Sequence, residues 1–348
     1  MPGAAGLLCR PEQPAVPDRK PYQPDVAAVA VLQGGLRQDR KHDLPAHRRY
    51  DSVQGHGRVR PNSIDGISAQ ENLRARCGIA AQRPGTPSPI YDQGKPLTVT
   101  TNCRVGLLVT CLADLFRPEL GFAAVRLLEL AGCDVSVPAQ TCCGQPAYNA
   151  GDRKDAIALA RNIVAAFEPF DYVVVPSGSC GGMMRVHYPE LLRDDPIWAD
   201  RARQVAAKTH ELLSFLVNVR GLKSVQAECR AKALYHDSCS SMREMAVRGE
   251  PRQLLQSVDG LNLEDFSDAD VCCGFGGFFS VKYPDISARL ADDKIDDAKS
   301  RGAELVLSGD LGCLLHLAGR AARRGEKIHF RHAAEVLAGA TTPPIGET

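Results

Sequence analysis

The chain has 348 residues, 44% of them apolar and 24% charged, with a formal net charge of +1. That is enough apolar material for one large or two ordinary domains, and the charge excludes a globally basic nucleic-acid binder and a strongly acidic disordered chain. Thirteen cysteines, an odd number in a long chain, fit poorly with a secreted disulfide scaffold, so metal, cluster or redox chemistry is the first question. There is no run of about 18 apolar residues of the kind a transmembrane helix needs. The stretch Met1–Cys9 loosely mimics a lipoprotein signal, but no positive charge precedes its short apolar part. The expected compartment is therefore the reducing cytoplasm.

Residues 1–102 hold 12 of the 23 prolines and carry 14 Lys/Arg against 9 Asp/Glu. They show no sustained helix or strand period. Stretches such as 38–45 and 81–89 bury too little apolar surface to offset chain entropy, so a disordered extension is expected. Three readings stand: a basic arm for acidic partners, a tail without a role, or out-of-frame translation of GC-rich DNA.

The character changes after Cys103. Arg104–Thr110 is a short apolar run with β-branched residues, predicting a buried strand that ends at Cys111. Leu120, Ala123, Ala124, Leu127 and Leu128 then fall on one helix face, with Gly132 as the stop. A second strand, Val135–Val137, leads to Cys142-Cys143-Gly144. Asp152 is placed to cap a helix carrying Ile157, Ile163, Val164 and Phe167 at helical spacing. A third strand, Tyr172–Val175, ends at Pro176-Ser-Gly-Ser-Cys180. Alternating strands and helices predict βαβ units with mainly parallel sheets, in which ligands bind at the carboxyl edge.

The layout then repeats. Ala231–His236 is a strand leading to Cys239, and Asp268–Val271 precedes Cys272-Cys273-Gly274. A helix from Asp285 through Ile286, Leu290 and Ile295 ends at Gly302, and the strand Glu304–Leu307 precedes Cys313. The first set is Cys111, x30, Cys142-Cys143, x36, Cys180; the second is Cys239, x32, Cys272-Cys273, x39, Cys313. Two sets of four in one order imply two α/β lobes with one site each, or two sites near a shared interface.

Thiolates are soft ligands for iron–sulfur clusters, zinc or Cu(I). Zinc normally takes Cys-x2–4-Cys pairs, whereas adjacent side chains diverge on an extended backbone and suit one ion poorly. A cluster offers several irons, so adjacent thiolates can reach different ones. Gly144 and Gly274 would let the backbone come close to a bulky group, and a helix dipole would favour the Cys111 thiolate. The eight cysteines are thus read as cluster ligands, ahead of zinc or a plain redox dithiol.

At these residues the sequence resembles the cysteine-rich (CCG) domain family, which includes the cysteine-rich components of heterodisulfide reductase and of anaerobic glycerol-3-phosphate dehydrogenase. The matching motifs are Val109–Phe116, Cys142–Asn149, Pro176–Gly181, Cys272–Lys282, Gly312–Arg320 and His332–Leu337, within about Arg104 to Leu337. The likeness is greatest to the iron–sulfur subunits of three-part L-lactate oxidation systems. It implies a first lobe over 103–222, a second over 223–340 and a flexible tail over 341–348. It also implies electron transfer during oxidation of L-lactate to pyruvate, as an oxidoreductase subunit active only in a complex. The implied partners are a ferredoxin-type iron–sulfur subunit and a third, cluster-free subunit. No nucleic acid is implied, and any membrane contact would be peripheral and through those partners.

The heterodisulfide reductase pattern ends each motif in Cys-x-x-Cys, but here the first member of that pair is Ser177 in one half and Asp310 in the other. Four thiolates per half suffice for a [4Fe–4S] or [2Fe–2S] centre. A heterodisulfide-reductase-like thiol/disulfide enzyme and a zinc or redox-sensing module are the alternatives. Cys133 and Cys229 read as small buried hydrophobes. His236 reads as a hydrogen-bonded structural histidine rather than a ligand or proton carrier. His316 reads as support for the second site.

Overall fold

The computed structural model describes residues 103–346. The expectations for residues 1–102 and for a lipid anchor at Cys9 lie outside the described residues.

The fold is α/β, with two four-stranded, all-parallel sheets built on one plan. The first holds β1 (Cys103–Leu107), β2 (Cys133–Ser136), β3 (Tyr172–Val175) and β4 (Thr209–Glu211) in the order β2-β1-β3-β4. The second holds β5 (Glu228–His236), β6 (Asp259–Asp265), β7 (Leu305–Ser308) and β8 (His329–His332) in the order β6-β5-β7-β8. In each sheet the chain leaves the first strand one way and returns to its other side. The carboxyl ends of the two central strands therefore flank a switch in winding direction, where open α/β sheets bind ligands.

Most predicted elements form as expected. Asp152 accepts a hydrogen bond from Asp155 N at 3.1 Å and starts the helix Arg153–Phe167, whose Ala156, Ala160, Ile163, Val164 and Phe167 are buried. The helix Pro118–Leu130 buries the five residues its spacing picks out. Strands β4, β6 and β8 carry no clear apolar period that would predict them. All three are sheet edges, so polar residues of Asp259–Asp265 and His329–His332 alternate with the few that pack inward.

The sheets join through matching contacts. The helix Cys111–Phe116 meets the helix Leu311–Arg323, and the helix Gly178–Gly182 meets the helix Cys239–Arg243. At Gly178 a Cβ would overlap the backbone and hydroxyl of Ser241, so only glycine permits that approach. Buried Arg117 donates to Glu335 at 2.7 Å. Removing one partner would leave the other charge buried and unpaired, a loss of about 3–5 kcal/mol. Arg117 also donates to the Pro343 carbonyl at 2.6 Å, and Ile345 N donates to Phe330 O at 2.8 Å. Those bonds tie the stretch expected as a flexible tail to Arg117 and to β8.

Glu211 ends β4 fully buried, with Oε2 accepting from Ser214 N at 2.9 Å and Oε1 without a partner among the described residues. Burial pushes its carboxyl up to about 7. The folded chain then binds this proton more tightly than the unfolded chain. The resulting stabilisation is complete below the unfolded value near 4.5 and is lost as pH rises through about 7. Between pH 5 and 8 the wild type should lose about 3 kcal/mol relative to Glu211→Gln, measured by urea denaturation under anaerobic conditions. Parallel pH dependence in the two proteins would contradict this.

Candidate metal centre

Each lobe delivers its cysteines to the carboxyl edge of its sheet. Cys111 opens a helix just past β1 and Cys180 lies in a helix just past β3, the neighbouring central strand. Cys142 and Cys143 come from the loop after the edge strand β2. The second lobe does the same with Cys239 after β5, Cys313 after β7, and Cys272 and Cys273 in the loop beyond β6. Side-chain caps fix where each helix begins. Thr110, Ser177, Ser238 and Asp310 accept from Ala113, Cys180, Ser241 and Gly312 N–H groups respectively.

In the first lobe Cys111 Sγ lies 3.7 Å from Cys142 Sγ, and Cys143 Sγ lies 3.3 Å from Cys180 Sγ. Cys142 also interacts with Cys143, which links the two pairs. Gly144, at φ 85°, turns its N–H onto Cys142 Sγ at 3.5 Å. Buried Tyr188 donates to the Cys143 carbonyl at 2.7 Å and fixes the loop. Hydrogen bonds from the Cys111 and Cys143 thiols and from Gly144 N–H hold the Cys142 thiol well below the ordinary range. Those same contacts, with burial, push Cys111 and Cys143 up.

The second lobe reproduces this pattern. Cys239 interacts with Cys272, and Cys273 with both Cys272 and Cys313. Gly274, at φ 90°, directs its N–H to Cys272 Sγ at 3.3 Å. What Gly274 approaches is the helix Pro284–Ser300: a Cβ there would press on the Ser287 carbonyl. Ser287 Oγ donates to the Gly274 carbonyl at 2.8 Å and meets His316 Nε2 at 3.2 Å. His316 thus steadies the loop through Ser287, the supporting place its sequence position suggests.

The structure corrects one expectation. His236 is fully buried, yet neither ring nitrogen has a hydrogen-bond partner among the described residues. One of its nitrogens, Cys273 Sγ and Cys313 Sγ lie within 4.8 Å of one another. It is therefore not a hydrogen-bonded structural histidine. Its position three residues before Cys239 is the available signal; the missing partner is visible only in three dimensions. Cys133 is buried in the core beside Cys103, while Cys229 is only half-buried.

Ser177 and Asp310 have a use of their own. Asp310 Oδ2 accepts from Ser177 Oγ and Ser179 N, each at 3.0 Å, while its Oδ1 caps its own helix through Gly312 N at 3.1 Å. The two positions where a fifth cysteine would stand bond to each other between the lobes.

These sites fit a thiolate-held cluster. Each gathers four sulfurs of graded burial, supplies one backbone N–H to a sulfur, and is flanked by no competing carboxylate ligand triad among the described residues. Cys111, Cys142, Cys143 and Cys180 could hold one group, and Cys239, Cys272, Cys273 and Cys313 another.

The cysteine-rich domain (CCG) profile matches the chain twice, over residues 105–185 and 233–318, and each span holds one complete set of four cysteines. Lactate utilization protein A from Halalkalibacterium halodurans is 46% identical over 235 residues, which are 67% of this chain and 96% of that protein. The proteins of that name from Bacillus subtilis and Geobacillus kaustophilus are 46% and 47% identical, each covered to 98% by the same share of this chain. Among solved structures, an aspartate racemase homologue from Pyrococcus horikoshii is 13% identical with a TM-score of 0.24, covering 68% of this chain and 96% of its own. So low a score carries no argument.

Replacing Cys142 or Cys273 by serine should remove about half of the bound iron, because each lobe gathers a separate set of thiols. Cys229→Ser should leave it unchanged. Iron and acid-labile sulfide analysis of anaerobically purified protein reads this out, and equal iron in all three variants would refute the assignment.

Proposed function

The chain belongs to the lactate utilization protein A family of cysteine-rich domain proteins, and on that premise we propose that it is the iron–sulfur electron-transfer subunit of an L-lactate oxidation system. The observation that carries this reading is the convergence of four thiols at the switch point of each sheet. The cluster type proposed is [4Fe–4S], for which four thiolates suffice, and such a centre supplies one-electron transfer when bound. Oxidation of L-lactate to pyruvate releases two electrons and two protons. Two sites in one chain suit a pair of electrons passed on singly.

The protein's own residues perform the supporting chemistry. Cys143, Cys180, Cys273 and Cys313 are buried and exclude water from one side of each site, while Cys111, Cys142, Cys239 and Cys272 are partly exposed. The Gly144 and Gly274 N–H groups stabilise charge on the Cys142 and Cys272 sulfurs. Tyr188 and Ser287 fix the loop carbonyls, so the sulfurs reorganise little when an electron arrives. The expected partners are a ferredoxin-type iron–sulfur subunit and a cluster-free third subunit, in the cytoplasm. Among the described residues no helix is long and apolar enough to cross a membrane.

A disulfide-reducing role is the weaker reading. It draws on a fifth cysteine in each site, and here those positions are the paired Ser177 and Asp310.

Co-purified with its partner subunits under anaerobic conditions, the protein should show cluster reduction on addition of L-lactate, with pyruvate formed in proportion. Reduction of a disulfide substrate, with no response to L-lactate, would favour the thiol/disulfide reading instead.

A further inference from the structure

The two lobes share one plan, so the places where they differ are informative. Counting back three residues from the first cysteine of each set pairs His236 with Leu108. The strand register agrees: His236 lies opposite Ser308 on β7, two residues before Asp310, and Leu107 pairs with Val174, so the next residue, Leu108, falls level with Val175, two residues before Ser177. Both side chains are buried. The helix behind each site shows a second difference. Its buried positions run Ala156, Ala160, Ile163, Val164 and Phe167 in one lobe, and Ser287, Ala291, Lys294, Ile295 and Ala298 in the other. Lys294 therefore stands where the first lobe has Ile163.

Lys294 is provided for: its ammonium donates to the Asp268 carbonyl and lies over the Phe266 ring at 4.7 Å. His236 is not. The Phe266 ring meets it edge-on at 6.1 Å, and neither of its nitrogens is hydrogen-bonded among the described residues. A buried polar atom without a partner is destabilising, and a first lobe built with leucine shows that the fold does not need a histidine there. Imidazole is a good iron ligand, and this one is already grouped with the Cys273 and Cys313 sulfurs within 4.8 Å.

We propose that His236 is a metal ligand of the second site, so that the chain carries one all-cysteine centre and one mixed cysteine–histidine centre. The assignment rests on the iron–sulfur reading above and makes the two centres chemically distinct. At the second site His236 stands in for one thiolate of the set, with Cys273 and Cys313 retained beside it, and neutral imidazole in place of a thiolate removes a negative charge and raises the reduction potential, as it does in other cysteine–histidine clusters. The second centre is then the one that holds an electron more readily, which gives transfer between the lobes a direction.

The test is pulsed electron paramagnetic resonance on protein grown with 15N-histidine, compared with His236→Leu, the residue the first lobe uses, and with His316→Ala. The assignment expects a strongly coupled nitrogen on one of two cluster signals, lost in His236→Leu and kept in His316→Ala. Should His236→Leu fail to fold, His236→Cys must keep its iron and lose the nitrogen coupling. Two cluster signals with only weak nitrogen coupling, or coupling that persists in both His236 variants, would overturn the ligand and leave the cluster reading intact. Protein free of iron and sulfide would overturn both.

Discussion

Eight thiols gathered into two knots cannot all ionise without a cation between them. Where sulfurs lie 3.3–3.7 Å apart, one thiolate is stabilised only because its neighbours keep their protons. Cys142 and Cys272 take the low positions, and Cys111, Cys143, Cys239 and Cys273 are pushed up. Metal binding reverses that order, since every coordinated thiol gives up its proton. The fold therefore places buried and half-buried groups that would repel one another if ionised at one edge of each sheet, and the rest of the architecture keeps them there.

That architecture is a duplicated one. The helix behind the first cysteine of each lobe rests on the helix of the last cysteine of the other. Asp310 links the two by accepting from Ser177 and Ser179 while capping its own helix. A shift of one lobe would therefore disturb the caps that aim Cys180 and Cys313. Buried Arg117 and Glu335 tie the outer ends of the same interface, with Glu335 also completing the cap at His332. Rigid sites joined through short, bonded helices suit rapid electron transfer, because little has to move.

Much of this is legible in the sequence, because a repeat writes its plan twice. The spacing of the cysteines, the Cys-Cys-Gly centres and the strand–helix alternation all follow from local patterns. Edge strands β4, β6 and β8 are not legible, since residues such as Asp259, Asn262 and His329 face out of a sheet that buries only part of each strand. The Ser177–Asp310 bond joins residues 133 positions apart and has no local signature. His236 reads as a hydrogen-bonded structural histidine because its distinguishing property, two buried nitrogens with no partner among the described residues, belongs to the tertiary structure alone.

The central claim is that each lobe holds its own iron–sulfur centre. Native mass spectrometry of the anaerobically purified chain tests it most directly. The account predicts a mass increment equal to two iron–sulfur clusters, with intermediate species that carry one. A chain that carries only zinc, or a single cluster shared by both cysteine sets, would contradict it.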